Sequence, residues 1–105
     1  MASSQEYLDF ILKQLQGLGQ EISFRKMMGE YLLYYRGRLF GGIYDNRLLL
    51  KSVQPALDFF ENPVYEFPYP GAKPMLYIKE VEDAAFLCNL IEAAYPALPA
   101  PKKKK

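Results

Sequence analysis

The amino-acid sequence predicts an α+β fold: a small antiparallel β-meander of about four to five strands, packed against an N-terminal and a C-terminal helix, with a short middle helix. Apolar residues recur at helical spacing near both ends of the chain. Between them the pattern changes to short aromatic and aliphatic runs separated by turn residues, which is typical of antiparallel strands. With 105 residues the chain has the length of one domain, which we place at residues 1–98.

The first helix is predicted over about residues 4–17. Ser3 and Glu6 have the spacing of a capping box. The apolar residues that follow form one stripe, which another element of the fold must cover. Gly17 and Gly19 are stop signals and end the helical pattern.

The closing helix is predicted over residues 80–95, because its first turn is acidic and Pro96 ends it. The middle helix is predicted over about residues 53–61, with a proline that its first turn tolerates. The last residues, 99–105, combine prolines with four lysines. We expect this lysine-rich tail to be disordered.

The strands of the meander are predicted from β-branched, aromatic and aliphatic runs. They cover about residues 23–28, 31–35, 38–44, 47–51 and 75–79. Arg36-Gly37 and Asp45-Asn46 supply residues that tolerate positive φ and therefore predict tight turns. The proline-rich stretch before the last strand is predicted to be mostly irregular, with a type II turn at Pro70-Gly71.

The two faces of the meander follow from strict alternation, if both turns contain two residues. One face is then uncharged and is the predicted core face: Leu32, Tyr34, Leu39, Gly41, Ile43, Leu48 and Leu50. The other is aromatic and basic: Tyr31, Leu33, Tyr35, Arg38, Phe40, Tyr44, Arg47, Leu49 and Lys51. A three-residue loop at Arg36-Gly37 would exchange the first strand's tyrosines between the faces.

Composition makes several classes of function unlikely from the start. The chain has no histidine and one cysteine, Cys88, so histidine catalysis, internal disulfides and cysteine zinc sites are excluded. We expect no enzyme activity, no cofactor, no metal and no small-molecule substrate, and we expect Cys88 to be a small core residue. No apolar run is long enough for a membrane span and the start is not a signal peptide, which predicts a cytoplasmic protein.

Charge is distributed unevenly along the chain. Thirteen cations face twelve acids, but four of the cations are the tail lysines, so the rest of the chain has a net charge of −3. Residues 25–51 hold six cations and two acids, a local balance of +4. The acids Glu30 and Asp45 within this region adjoin turns, where a turn-stabilising role is the expected one.

These observations identify one candidate partner-binding face on the meander. It comprises Arg25, Lys26, Tyr31, Tyr35, Arg38, Phe40, Tyr44, Arg47 and Lys51. Tyrosine and arginine are enriched at protein interfaces, which favours a protein partner or self-association. Stacking rings beside cations would also suit a nucleic acid, although an acidic net charge is not typical of nucleic-acid-binding domains. Ordinary sheet residues with snorkelling cations are the third interpretation.

The chain resembles the TfoX N-terminal domain family. The resemblance lies in four strings: F-R-K-M-M-G at 24–29, Y-x-x-Y-Y-x-G at 31–37, D-N-R-L-x-L-K at 45–51 and the proline-rich 67–75. It extends over about residues 5–95. It implies an α+β domain whose antiparallel sheet is backed by helices, and it implies no catalytic residue.

The founding members of that family are bacterial regulators of natural competence. They act on transcription, are thought to work with the cyclic-AMP receptor protein, and carry a second, C-terminal domain. The resemblance therefore implies a regulatory module, here expected to be a stand-alone, single-domain member.

Overall fold

The computed structural model describes residues 4–98, and the predicted tail, residues 99–105, lies outside them. The elements follow in the order α1 (Gln5–Gln14), a 3₁₀ segment (Gln16–Glu21), β1 (Ile22–Met27), β2 (Glu30–Tyr35), β3 (Arg38–Tyr44), β4 (Arg47–Leu50), α2 (Gln54–Leu57), β5 (Tyr65–Glu66), β6 (Met75–Ile78), α3 (Ala84–Ala94) and a second 3₁₀ segment (Tyr95–Ala97). The predicted α+β class is confirmed.

All pairings in the sheet are antiparallel, and the strand order is β1-β2-β3-β4-β6-β5. The sheet has six strands rather than the four to five predicted. The additional strand is β5, which has two residues and lies in the proline-rich segment that we expected to be irregular. A strand this short has no periodicity by which the sequence could reveal it.

Three tight turns join the first four strands. Met28-Gly29, Arg36-Gly37 and Asp45-Asn46 each contribute two residues, all with φ between 51° and 85°. Positive φ at both positions is the type I′ geometry, whose twist matches that of the flanking strands. The predicted turns at Arg36-Gly37 and Asp45-Asn46 are therefore confirmed.

A β-bulge interrupts the pairing of β2 with β3. Leu33 pairs with Gly41 and Tyr34 pairs with Leu39, which leaves Phe40 as the extra residue. A bulge places two residues of one strand opposite one residue of its partner, so the alternation of faces shifts at this point. The strict alternation that we assumed along β3 is therefore wrong.

The helices are shorter than predicted at their ends. Ser4 caps α1, because its hydroxyl oxygen accepts the backbone N–H of Tyr7 at 3.1 Å, whereas Ser3, the predicted cap, lies outside the described residues. The chain then leaves the α-helix for a 3₁₀ segment that includes Gly19 at φ 76°. Helix α3 begins at Ala84 because the Asp83 carboxylate accepts the backbone N–H of Phe86. In both cases a side-chain cap determines the first helical residue.

One core connects the helices with a single face of the sheet. Helix α1 contributes Leu8 and Ile11, and α3 contributes Leu87, Leu90 and Ile91, all of them inaccessible to solvent. The sheet contributes Tyr31, Leu33, Tyr35, Phe40, Ile43, Leu48, Leu50, Leu76 and Ile78. We call the opposite surface of the sheet the helix-free face. It is this face that remains available for a site.

Candidate interaction surface

The bulge at Phe40 divides the predicted partner-binding face between the two sides of the sheet. After the bulge the prediction is right: Ile43, Leu48 and Leu50 belong to the core, while Tyr44 and Arg47 lie on the helix-free face. Before the bulge the faces are exchanged. Register therefore assigns to the helix-free face Ser23, Arg25, Met27, Leu32, Tyr34, Leu39, Gly42, Tyr44, Arg47 and Leu49.

Three aromatic members of the predicted face are core residues. The exposed fractions of Tyr31, Tyr35 and Phe40 are 4%, 2% and 0%. Leu32, Tyr34 and Leu39, which we had expected in the core, are instead only partly buried. The turn at Arg36-Gly37 has two residues as assumed, so the bulge, not the loop length, causes the error.

Arg38 was predicted for the partner-binding face but serves the fold. It lies on the side of the sheet that carries the helices, with its guanidinium 4.6 Å from the centre of the Tyr95 ring. It donates hydrogen bonds to the carbonyl oxygens of Tyr95 and Leu98, at 3.2 and 3.3 Å. Arg38 thus fastens the segment after α3 to the start of β3.

A cluster of aromatic and charged side chains surrounds Tyr35, at the same end of the sheet as Arg38. The Tyr35 ring packs edge-on against Tyr95, and Arg36 lies over both rings and pairs with Glu21. The Tyr35 hydroxyl donates to the Glu92 carboxylate at 3.5 Å. Burial raises the pKa of Tyr35; the Arg36 cation opposes this effect, and Glu92 and Glu21 add to it.

The free energy of unfolding is expected to decrease as pH rises above about 10. Burial raises the pKa of Tyr7, Tyr35 and Tyr44 above their ordinary value of 10.0. The unfolded chain therefore loses these protons at lower pH than the folded protein does, so the stabilisation is present below pH 10 and is lost through the folded pKa values. Urea unfolding at a series of alkaline pH values measures this effect.

Tyr35→Phe should remove part of the alkaline decrease, because it deletes one of the three phenols whose pKa is raised. Tyr65→Phe is the matched control, since Tyr65 is 47% exposed. A free energy of unfolding that does not change between neutral and strongly alkaline pH would contradict the prediction.

The remaining cations of the predicted face have different surroundings. Arg25 and Lys26 are exposed on β1. Arg47 is half-buried and donates to the Glu66 carboxylate at 3.0 Å and to the carbonyl oxygens of Tyr44 and Phe67. Its charge is therefore compensated within the domain. The structure does not bring the nine predicted residues together as one surface.

A groove on the helix-free face lies between the sheet and the proline-rich segment. Its volume is about 660 Å³. The lining is Met27, Leu32, Leu39, Gly41, Tyr44, Lys51, Ser52, Val53, Pro68, Tyr69, Ala72, Lys73, Pro74 and Met75. The lining is mostly apolar and includes two lysines and no acid.

The groove depends on a shaped proline-rich segment. The Tyr69 ring lies 6.5 Å from the Tyr44 ring, which connects this segment to β3. Ala72 N–H donates to the Tyr69 carbonyl oxygen at 3.1 Å and Gly71 has φ 88°, so the predicted type II turn at Pro70-Gly71 is confirmed. The turn holds Tyr69, 58% exposed, at the rim.

A second depression, of about 540 Å³, lies on the other side of Tyr69. Glu30, Asp45 and Arg47 line it together with residues 67–71. Glu30 accepts the backbone N–H of Asp45 at 3.1 Å, which agrees with the turn-stabilising role expected for these acids. Tyr69 therefore separates a basic groove from a depression that contains two carboxylates.

Sequence reasoning missed the residues of the proline-rich wall. Tyr69 and Lys73 lie in the stretch that the sequence predicts to be mostly irregular, and Met27 lies within a predicted strand. Their signal was compositional: large aromatic residues beside prolines cannot all be buried in an irregular segment. Phe67 and Tyr69 are accordingly both 58% exposed.

Cys88 lies away from the groove. Its thiol donates to the carbonyl oxygen of Gln14 at 3.8 Å, and burial raises its pKa. It packs against the core cluster as predicted for a small core residue. Within residues 4–98 no three side chains of the metal-binding types come together as a possible metal site.

Two comparisons with known proteins bear on this chain. The family described as TfoX N-terminal domain matches residues 13–97. A protein of Spirochaeta aurantia described as an uncharacterized 12.7 kDa protein in the trpE 5′ region is 39% identical over 106 aligned positions. The alignment covers 100% of this chain and 91% of that relative.

In the described part of the chain, every helix is too short or too polar to cross a membrane.

Proposed function

Because this chain belongs to the TfoX N-terminal domain family, we propose that it is a non-enzymatic regulatory module that acts through protein–protein contacts. The observation that carries the proposal is the groove on the helix-free face. Its apolar floor can receive apolar side chains of a partner, and Lys51 and Lys73 stand where they can meet carboxylates. The partner that fits is a protein segment combining apolar anchors with acidic residues.

The regulatory part of the proposal comes from the family resemblance. The resemblance supports a role in transcriptional regulation related to competence, and the proposal includes a cytoplasmic location. The proposal of a non-enzymatic role rests on the side chains themselves. Cys88 has no histidine to activate it, and its thiol donates a hydrogen bond to the backbone carbonyl oxygen of Gln14. The acids Glu30 and Asp45 act in a turn.

The groove can be tested by charge reversal. We expect the double variant Lys51→Glu with Lys73→Glu to lose at least about tenfold in affinity for its protein partner, because two attractive contacts become repulsive. Wild-type and variant proteins would be immobilised at equal density and exposed to a lysate of the source cells. Bound proteins would then be quantified by mass spectrometry.

The matched control is Lys13→Glu with Lys79→Glu. It makes the same change in net charge, and neither lysine lines the groove. A partner retained equally by the groove variant and the control would contradict the proposed groove. A wild-type protein that is a strict monomer in sedimentation and retains no partner would contradict the protein-binding function as a whole.

Nucleic-acid binding is the alternative, and exposed Arg25 and Lys26 are the observation that favours it. Against it, Tyr31, Tyr35 and Phe40 are buried and cannot stack on bases. A titration with single- and double-stranded DNA at two salt concentrations distinguishes the alternatives. Affinity that decreases steeply with salt would support phosphate contacts, whereas the absence of binding at low salt would contradict nucleic-acid binding.

A further inference from the structure

Strand β1 forms a long, exposed edge of the sheet. It has six residues and is the outermost strand, whereas the strand at the other edge has only two. All residues of β1 after Ile22 are exposed. Within residues 4–98, β1 pairs with β2 alone. An edge of this length presents a row of backbone groups to which another strand can bind.

The hydrogen-bonding pattern identifies which backbone groups point outward. Arg36 N–H donates to the Glu21 carbonyl oxygen at 2.9 Å, and Met27 pairs with Glu30 across a two-residue turn. Because residues of an antiparallel strand alternate between bonding inward and outward, the backbone groups of Ile22, Phe24 and Lys26 point away from β2. The N–H and C=O groups of these three residues form the available edge.

An apolar depression lies directly beside this edge, on the side of the sheet that carries the helices. It has a volume of about 430 Å³ and lies between β1, the end of α1 and the 3₁₀ segment. Its lining is Leu12, Leu15, Gln16, Gly19, Ile22, Ser23 and Phe24, with no charged residue. Alternate side chains of a strand added to β1 would point toward this depression.

The charge of the edge indicates the kind of segment that fits. Arg25 and Lys26 are exposed, and β1 contains no acidic residue. Antiparallel pairing of β1 with β1 of a second copy would bring these cations of the two chains close together, which is unfavourable. An acidic segment would instead be attracted.

From the coincidence of these features, we propose that β1 binds an extended segment of another protein by β-augmentation, as a seventh strand of the sheet. The segment alternates apolar and acidic residues. Its apolar side chains enter the depression beside Ile22 and Phe24, and its carboxylates lie on the opposite side of the sheet, near Arg25. Apart from Met27 at the end of β1, the residues of this surface do not line the groove on the helix-free face, so the two proposals can fail independently.

The test uses a peptide with the six-residue length of β1 that alternates valine and glutamate. NMR titration of the full ¹⁵N-labelled chain should give saturable shifts at the amides of Ile22, Phe24 and Lys26. Lys26→Pro removes an outward N–H and should weaken binding by at least about tenfold more than Lys26→Ala does. Both variants remove the charge, and an edge strand tolerates proline at an outward position.

A second measurement depends on no protein variant. N-methylation of the peptide at alternate residues removes the N–H groups of one edge only. One of the two methylated peptides should therefore lose binding to the wild-type protein while the other retains it. A peptide that alternates valine and lysine controls for charge and should bind more weakly by at least about fivefold.

Several results would overturn the proposal. They are the absence of saturable binding, equal binding of the two methylated peptides, equal binding of the lysine peptide, and shifts confined to the groove residues Leu32 and Tyr44. A dimer that Lys26→Pro dissociates would identify a second copy as the occupant and would also overturn it. Charge reversal at Lys51 and Lys73 should leave the shifts on β1 in place, which separates this proposal from the groove.

Discussion

Phe40→Ala is expected to lower the free energy of unfolding by about 3–5 kcal/mol, because a large and fully buried ring is removed and a cavity remains. A domain of this size is stable by only about 5–15 kcal/mol, so the variant should lose a large part of its stability. Urea unfolding followed by circular dichroism measures the effect.

Phe24→Ala is the matched control for that variant. Phe24 lies on the edge strand β1, its side chain is 45% exposed, and it contacts the Tyr31 ring edge-on. Its loss should cost about 1 kcal/mol. If Phe40→Ala cost no more than Phe24→Ala, Phe40 would lie on a solvent-exposed face, as simple alternation predicted, and the bulge would be contradicted.

Gly41→Ala should destabilise the domain by about 3 kcal/mol or more. A Cβ atom at this position would lie 2.1 Å from the carbonyl oxygen of Leu49 and 2.9 Å from the Cα of Leu50. Both contacts are with backbone, so no side-chain rotation can relieve them, and β3 would have to separate from β4. Thermal and urea unfolding of the variant would give the loss.

Gly71→Ala provides a contrasting control. Apart from its two chain neighbours, no residue comes within 4 Å of a Cβ added at Gly71, but its φ is 88°, so only the backbone conformation is unfavourable. A loss of about 1 kcal/mol is expected there. Similar losses for the two variants would show that the close approach of β3 and β4 at Gly41 does not limit stability.

Most of the fold could be predicted because its determinants are local. The turns at Arg36-Gly37 and Asp45-Asn46 are encoded by residues that tolerate positive φ, and the register of each hairpin follows from its turn. The core positions after the bulge, such as Ile43 and Leu48, were predicted correctly for the same reason. Helix ends were less predictable, since Ser3 and Ser4 are chemically equivalent caps.

The bulge could not be predicted from alternation, and it is the reason why the residues of the candidate face do not lie on one side of the sheet. Shifting the alternation by one residue transferred Tyr31, Tyr35 and Phe40 to the core. One sequence signal was present: Gly41-Gly42 inside a strand pattern often marks a bulge or a close backbone approach. Both apply at Gly41, which directly follows the bulged residue.

The groove was beyond sequence reasoning because its walls are distant along the chain. Met27 and Leu39 come from the meander, whereas Tyr69 and Lys73 come from a segment without a repeating pattern. Nothing in local periodicity says which strand such a segment will cover. The positive charge of the meander suggested a binding face. However, Arg38 donates hydrogen bonds to carbonyl oxygens and Arg47 pairs with Glu66, all within the domain.

The proline-rich wall also has a consequence for how this family can diversify. It is part of the long connection between β4 and β6, and the entropy of closing a loop grows only with the logarithm of its length, by about 0.6 kcal/mol per doubling. Insertions or deletions in the residues around Pro70 therefore cost little, provided that β6 can still pair with β4. The sheet and its core can stay constant while this wall changes shape, so that relatives can acquire new binding preferences without a new fold.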